Sequence, residues 1–314
     1  MDLLKFGNTD LNVSPICFGG NVLGWTVDES ESYKILDSFF NNGFNFIDTA
    51  NSYSAWAPGH TGGESETIIG RWMKKNNNRS KIILATKVGS EVFGEKGLKK
   101  AYIKKAVEGS LKRLQTDYID LYQSHFDDLA TPVSETMEGF NELISEGKIR
   151  YIGASNLSSQ RISDSNEYSR NNSLKSYISL QPLYNLYERE KFETEYLPLV
   201  KKENLAVISY FSLASGFLSG KYKSEKDFNK SVRGGSMKKY LNDKGIKILN
   251  ALDKISSEKK VPYSSISIAW LLNKSFITSA IVSATNNKQL SEILLASEIK
   301  LNENEVALLD EAGE

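Results

Sequence analysis

Four side chains that can take part in proton transfer lie at or just beyond the ends of three successive apolar runs. Asp48 ends FNFID with Tyr53 a short step beyond it, Lys87 ends KIILATK, and His125 ends YIDLYQSH. If these runs are neighbouring parallel strands of a barrel, their carboxyl ends meet at one mouth, and the four side chains converge there. The residue types predict an acid–base site at that mouth.

The chemistry of this set favours reduction of a carbonyl group. A tyrosine hydroxyl has a pKa of about 10, and a nearby ammonium such as that of Lys87 is expected to lower it. Asp48 would neutralise the buried lysine, and His125 would orient a carbonyl oxygen towards Tyr53. Tyr53 would then donate the proton, and a nicotinamide cofactor would supply the hydride.

Each of the four residues alone has an ordinary structural explanation. An aspartate at a strand end is commonly a helix cap, a lysine a surface charge, a tyrosine a packing residue and a histidine a satisfied structural group. The catalytic hypothesis therefore depends on all four falling at equivalent ends of successive strands.

The elements that must position these residues alternate along the chain. About eight apolar runs are each followed by a helical pattern, which indicates a parallel sheet, and no GxGxxG follows the first run. We therefore predict a single domain over residues 1–314, a (β/α)₈ TIM barrel of the α/β class. Residues 3–14 predict a β-hairpin that caps the bottom of the barrel. Capping boxes are expected at Asp28 with Glu31 and at Asn302 with Glu305.

The composition excludes several classes of function. Lys plus Arg and Asp plus Glu both number 39, so the net charge is zero and no nucleic-acid partner or membrane surface is indicated. Cys17, which we expect to be buried, is the only cysteine, so neither an internal disulfide nor a cysteine metal site is predicted. The N-terminus lacks a signal-peptide pattern and no apolar stretch approaches the roughly 20 residues of a membrane span, so we expect a cytoplasmic location.

A resemblance to a known family covers residues from about 3 to 298. The sequence resembles the aldo-keto reductase superfamily, whose successive signatures are similar to FNFIDTANSY, GGESETIIG, IILATK, DYIDLYQSH, IGASN, SLQPLYN and YFSLASGFLSGKY. The resemblance implies a barrel with an N-terminal hairpin and an NAD(P)H-dependent reductase of aldehydes or ketones. By position it matches the family's catalytic tetrad to Asp48, Tyr53, Lys87 and His125, with Tyr53 as the general acid.

The resemblance also implies cofactor-binding residues. It matches the nicotinamide carboxamide site to Ser155, Asn156 and Gln181, the stacking aromatic residue to Tyr210, and the pyrophosphate loop to Ser212, Leu213 and Gly216. The family usually has Ser-Pro-Leu where this chain has Phe211-Ser212-Leu213. The missing proline affects the expected rigidity of this loop but not its expected role.

The last strand departs most from the family pattern. In IVSATNNKQL, Val282 and Ser283 stand where the family has Pro and Gly, and no arginine for the 2′-phosphate of NADPH is evident. The remaining candidates for that phosphate are Thr285, Asn287, Lys288 and Gln289. A lone lysine can neutralise a phosphate as a point charge. We expect NADPH, with NADH left open.

Two loops and one strand end are expected to shape the substrate pocket. Trp25 and Trp56 lie in loops predicted at the barrel mouth, where either could contact a ligand or cap the core, and Phe126 follows His125. Residues 221–239 are rich in lysine and predict either a mobile lid or a solvated loop. His60 is expected to be a loop residue rather than a metal ligand, and no metal site is predicted.

Two other functions fit parts of the pattern. A barrel lyase could form a Schiff base on Lys87. Some similar barrels, such as potassium-channel β subunits, bind the cofactor and serve a larger partner without appreciable turnover. The carbonyl substrate, the physiological direction and the oligomeric state stay open.

Overall fold

The chain begins with an antiparallel hairpin of two short strands, β1 (Leu4–Lys5) and β2 (Asn12–Val13). A computed structural model describes residues 2–92, 94–231 and 233–314. Gly7 turns between the strands with a φ of 55°, a left-handed conformation that glycine adopts without steric cost.

A closed barrel of eight parallel strands forms the centre of the molecule and confirms the predicted (β/α)₈ fold. The neighbours follow chain order, and β10 pairs with β3 to close the ring. The barrel strands are β3 (Ile16–Gly19), β4 (Phe46–Asp48), β5 (Ile83–Val88), β6 (Ile119–Ser124), β7 (Ile149–Ser155), β8 (Ser179–Gln181), β9 (Ala206–Ser209) and β10 (Ser279–Val282).

Helices surround the barrel, and most of them connect one barrel strand to the next. They are α1 (Glu29–Asn41), α2 (Glu64–Asn76), α3 (Lys100–Leu114), α4 (Val133–Ser145), α5 (Ser159–Asn171), α6 (Leu197–Glu203), α7 (Asp243–Lys259), α8 (Tyr263–Asn273), α9 (Asn287–Leu294) and α10 (Glu303–Ala312). None of the described helices is both long enough and apolar enough to cross a membrane.

The two expected capping boxes have different outcomes. Asn302 and Glu305 form a complete box at the start of α10. At the start of α1, Asp28 accepts from the backbone N–H of Glu31, but the Glu31 carboxylate pairs with Lys34 at 2.9 Å. The prediction of a reciprocal box was therefore wrong at α1, because a lysine one turn along competes for the glutamate.

Two apolar cores result, one between the barrel and its helices and one inside the barrel. The inner core contains Phe46, Leu121 and the buried Cys17, as expected for that cysteine. Phe6 of the hairpin joins it, with its ring centroid 5.7 Å from that of Phe46. The hairpin therefore caps the end of the barrel opposite the carboxyl ends of the strands.

Candidate active site

The four sequence-predicted proton-transfer residues meet at the carboxyl ends of β4, β5 and β6. Lys87 Nζ lies 2.6 Å from Asp48 Oδ2 and 2.8 Å from the Tyr53 hydroxyl. A third hydrogen bond joins Lys87 Nζ to the carbonyl oxygen of Thr49 at 2.8 Å. The His125 ring stands edge-on to that of Tyr53 with centroids 5.9 Å apart. The arrangement gives the lysine three acceptors and leaves the tyrosine hydroxyl beside an ammonium group.

Two buried amides hold the second oxygen of Asp48. Gln123 and Gln181 donate their Nε2 groups to Asp48 Oδ1 at 3.1 and 2.9 Å. Gln181 also donates to Gln123 Oε1 at 3.3 Å. Because both carboxylate oxygens accept hydrogen bonds, Asp48 is held as an acceptor in one orientation.

The acidity of Tyr53 differs from the sequence expectation. Burial, followed by the nearby Asp48 carboxylate, raises the pKa of the Tyr53 hydroxyl well above 10. Lys87 was expected to lower this pKa, but burial and the Asp48 carboxylate act in the opposite direction and outweigh it. Burial also lowers the pKa of Lys87, although Asp48 opposes that shift. Tyr53 therefore stays protonated at neutral pH.

His125 is neutral in the same environment. Burial, and then the charge of Lys87, lowers the pKa of His125 well below 6.5. Its Nδ1 lies 2.9 Å from Ser90 Oγ. A neutral imidazole carries one donor and one acceptor nitrogen, so His125 can serve as a hydrogen-bond donor without being charged.

A cavity of about 850 Å³ opens beside these residues. Tyr53, His125 and Gln181 form one part of its wall. Its lining also includes Asn21, Trp56, Tyr210, Ser212, Leu213, Gly216, Lys221, Lys230 and Arg233. A volume of this size is within the range of small-molecule and cofactor sites.

The three residues matched to the carboxamide site lie together, but only one lines the cavity. Ser155 Oγ donates to the Gln181 carbonyl oxygen at 2.9 Å, and Asn156 Nδ2 donates to the His125 carbonyl oxygen at 2.9 Å. Asn156 Oδ1 accepts from the Tyr210 hydroxyl at 2.9 Å. Ser155 and Asn156 therefore reach the cavity wall through Gln181 and Tyr210.

The loop after β9 is fixed without the family's proline. Ser212, which stands in the proline position, is buried and donates its hydroxyl to the Ile281 carbonyl oxygen of β10 at 2.7 Å. The backbone is left-handed at Phe211, Ala214 and Gly216. Left-handed turns of this kind point backbone N–H groups into concave anion sites. A hydrogen bond to β10 thus holds this loop at the position where the family has a proline.

The residues expected after the last strand lie at the start of α9. Thr285, Lys288 and Gln289 line the cavity, and Gln289 Oε1 accepts from the Thr285 backbone and side chain at 3.0 Å each. Asn287 is the first residue of α9 and is not on the cavity wall. Lys288 is the cation of this group, and it forms no ion pair among the described residues.

An arginine that the sequence did not reveal also reaches the cavity. Arg233 lies between two short 3₁₀ segments, Glu225–Lys230 and Gly234–Tyr240, within the predicted lid. Its guanidinium is 5.2 Å from the Trp25 ring centroid. The Asn21 amide, turned so that its oxygen faces the guanidinium, accepts from Arg233 Nη2 at 3.0 Å. No arginine follows the last strand in the sequence, and Arg233 lies instead in the segment before α7.

The residues expected in the substrate pocket take three different places. Trp56 lines the cavity, half exposed, with its ring 6.0 Å from that of Tyr53. Trp25 packs edge-on against Trp56 at 5.5 Å rather than lining the cavity itself. Phe126 packs on His125 at 4.8 Å and lines a neighbouring cleft of about 380 Å³.

His60 stays a loop residue, and its Nδ1 has no hydrogen-bond partner in the described part of the chain. Within residues 2–92, 94–231 and 233–314, no group of three or more His, Cys, Asp or Glu side chains is placed to hold a metal ion.

Residues 15–314 match the profile of the Aldo/keto reductase family. The match spans nearly the whole chain, so the protein belongs to this family. Its general class is an oxidoreductase of the carbonyl-reducing type, and the family generally uses nicotinamide cofactors.

Curated relatives cover most of the chain. An oxidoreductase of Bacillus subtilis named YrpG and described as uncharacterized is 32% identical over 99% of this chain and 95% of its own length. An aryl-alcohol dehydrogenase of Pestalotiopsis microspora is 32% identical over 85% of this chain and 70% of its own. A probable voltage-gated potassium channel subunit beta of Oryza sativa subsp. japonica is 32% identical over 95% and 92%.

Proposed function

We propose that the protein is an NADPH-dependent reductase of aldehydes or ketones, in which Tyr53 donates the proton and His125 orients the carbonyl oxygen. The observation that carries this proposal is one cavity that joins the Asp48–Lys87–Tyr53–His125 cluster to three cations without an ion pair among the described residues, which are Lys221, Arg233 and Lys288. Such a cavity suits a molecule with a reactive group at one place and phosphates at another.

The residues present fit a nicotinamide dinucleotide. Lys221 and Arg233 line the cavity and form no ion pair with any described carboxylate. Lys230, by contrast, pairs with Asp227 at 2.7 Å. Lys221 is exposed, but Arg233 is partly buried, and a partly buried cation without an anionic partner is costly unless an anion joins it. The phosphates of the cofactor would supply that anion, with the left-handed loop around Gly216 donating backbone N–H groups.

The nicotinamide end would lie against Tyr210 and Gln181. Both side chains line the cavity next to Tyr53. Gln181 uses its Nε2 on Asp48, which leaves its Oε1 to accept from a carboxamide. When bound, the dihydronicotinamide supplies the hydride that the carbonyl carbon requires.

The protein's own part in the reaction is proton donation and orientation. The neutral His125 would donate a hydrogen bond to the carbonyl oxygen and place it within reach of Tyr53. As the oxygen gains charge, the Tyr53 proton would pass to it, and the phenolate would form 2.8 Å from the Lys87 ammonium. Asp48, fixed by two glutamines, would keep that ammonium in place.

The preference for NADPH over NADH is supported by Arg233. Its fork-shaped guanidinium matches a phosphate better than a lysine does, and the Asn21 contact holds it at the cavity. Fluorescence titration with NADPH and with NADH tests this preference, because Trp56 on the cavity wall should report binding. Tighter binding of NADPH supports the proposal, and equal or weaker binding contradicts it.

Aromatic carbonyl compounds are the substrates to try first. Trp56 presents a half-exposed indole beside Tyr53, and aromatic faces bind flat apolar rings well. One relative is named as an aryl-alcohol dehydrogenase, so its name also refers to an aromatic compound.

A Schiff-base lyase is less well supported. Lys87 is fully buried, and its three hydrogen bonds occupy every proton of its ammonium group. A lysine nucleophile must instead be neutral and open to the substrate. Borohydride treatment with a carbonyl compound should therefore leave Lys87 unmodified.

A role as a cofactor-binding subunit is the second candidate, favoured by the similarity to a probable potassium channel subunit beta over 92% of that relative's length. It predicts tight nucleotide binding with negligible turnover. Turnover with a panel of carbonyl compounds separates the two functions.

A further inference from the structure

His125 also contacts a serine that lies outside the Asp48–Lys87–Tyr53 cluster. Ser90 Oγ lies 2.9 Å from His125 Nδ1. The two residues follow neighbouring strands, since Val88 of β5 pairs with Ser124 of β6. The backbone N–H of His125 also donates to the Val88 carbonyl oxygen at 2.8 Å. The contact therefore joins the first residues of the two loops that follow the neighbouring strands β5 and β6.

The loop between Val88 and Ser90 is shaped for this approach. Gly89 has a φ of 119°, and a Cβ there would lie 3.2 Å from the carbonyl oxygen of Phe126. A larger residue would therefore crowd the backbone that follows His125. Glycine at this position lets Ser90 come within hydrogen-bond distance of the imidazole.

The partner of one imidazole nitrogen decides the role of the other. The Ser90 hydroxyl contacts no other acceptor among the described residues, so His125 Nδ1 is assigned as the acceptor of the hydroxyl proton. Nδ1 then accepts, and the single ring proton of the neutral His125 is left on Nε2. The His125 ring lines the cavity beside Tyr53, where an Nε2–H group can donate to a carbonyl oxygen.

We infer that Ser90 is a positioning residue that fixes His125 as the Nε2–H tautomer and so makes it a hydrogen-bond donor to the substrate. The opposite tautomer would present a lone pair to the carbonyl oxygen and repel it. The catalytic meaning of the inference rests on the proposed reductase function, whereas the tautomer itself does not.

Proton–nitrogen correlation NMR of the histidine rings tests the tautomer directly. The chain has only His60 and His125, so the variant His60→Asn assigns both rings. In the wild type, His125 should show the Nε2–H pattern. Ser90→Ala should shift the tautomer ratio towards Nδ1–H by about five-fold, the contribution of one neutral hydrogen bond, and Ser90→Thr should keep the wild-type pattern.

Steady-state kinetics adds the functional readout. Ser90→Ala should lower kcat for carbonyl reduction by roughly five- to ten-fold without changing the affinity for NADPH, and Ser90→Thr should restore it. An Nδ1–H ring in the wild type, or an unchanged ratio in Ser90→Ala, overturns the inference. If the wild type shows the expected tautomer but reduces no carbonyl compound, the reductase proposal fails and the tautomer assignment stands.

Discussion

Asp48 divides its two carboxylate oxygens between two kinds of donor. Oδ2 faces the Lys87 ammonium, and Oδ1 faces the amides of Gln123 and Gln181. The charge of Lys87 is therefore balanced inside the protein, and its position is set by contacts on both sides. The sequence identified Lys87 and Asp48 but not Gln123, although Gln123 lies two residues before His125 and therefore on the same face of the strand.

Breaking this buried pair should destabilise the protein strongly. Asp48→Asn removes the only carboxylate that contacts Lys87 within the described residues, so we expect a loss of about 3–5 kcal/mol in the free energy of unfolding. The double variant Asp48→Asn, Lys87→Met should recover much of that loss, because no unpaired charge remains. Urea denaturation of the three proteins measures this. A double variant as unstable as the single one would show that the cost does not come from the stranded ammonium.

The lowered pKa of His125 predicts how stability depends on pH. At a pH above 6.5, the ordinary pKa of histidine, His125 is neutral in both the folded and the unfolded chain. Below that pH the unfolded chain takes up a proton that the folded chain resists, so stability falls as the pH falls. The variant His125→Asn should reduce the slope of the unfolding free energy against pH by up to roughly 1 kcal/mol per pH unit. This value allows for the partial exposure of the ring.

Urea denaturation between neutral pH and mild acid measures the slope. His60→Asn is the matched control, since it removes the other histidine of the chain. Equal slopes in the wild type and His125→Asn would contradict the neutral, desolvated state assigned to His125.

At the scale of elements, the segment between β9 and α7 supplies three of the cations that line the cavity. These are Arg233, Lys221 and Lys230. The sequence predicted either a lid or a solvated loop here. It did not reveal Arg233, because an arginine in a loop belongs to no periodic pattern. Its role depends on contacts to Trp25 and Asn21, which are more than 200 positions away along the chain.

Removing Arg233 should weaken the binding of NADPH far more than the binding of NADH. An arginine hydrogen-bonded to a phosphate contributes about 1.5–3 kcal/mol, so Arg233→Ala should raise the Kd for NADPH by roughly 10- to 100-fold. Lys238→Ala is a control from the same segment, because Lys238 is strongly exposed and does not line the cavity. Fluorescence titration gives the affinity of each nucleotide for the wild type and for both variants. Equal weakening of both nucleotides would assign Arg233 to the pyrophosphate they share, not to the 2′-phosphate.

At the scale of the whole molecule, the strand ends were predictable and the loop contacts were not. The apolar runs that end at Asp48, Lys87 and His125 are barrel strands, and the closed barrel brings those ends together, as their order in the sequence predicted. The positions of Trp25 and Phe126 depend instead on side-chain packing between loops, which a single sequence does not encode in any periodic pattern. The same limit applies to Ser90.

The barrel also separates the hairpin from the candidate active site. The hairpin lies at the end of the barrel away from the cluster, so it serves stability. The cavity wall is built from loops that follow the strands, which is where barrels of this kind place ligands.

The most direct test of the central claim is the rate of NADPH oxidation by aromatic aldehydes, measured with the wild type and Tyr53→Phe. The variant keeps the ring but lacks the proton donor that contacts Lys87. We expect wild-type turnover to fall by roughly 10²- to 10⁴-fold in the variant, with NADPH affinity nearly unchanged. Equal turnover in the two proteins would contradict Tyr53 as the proton donor. NADPH binding without oxidation by any aldehyde or ketone would contradict the reductase function itself.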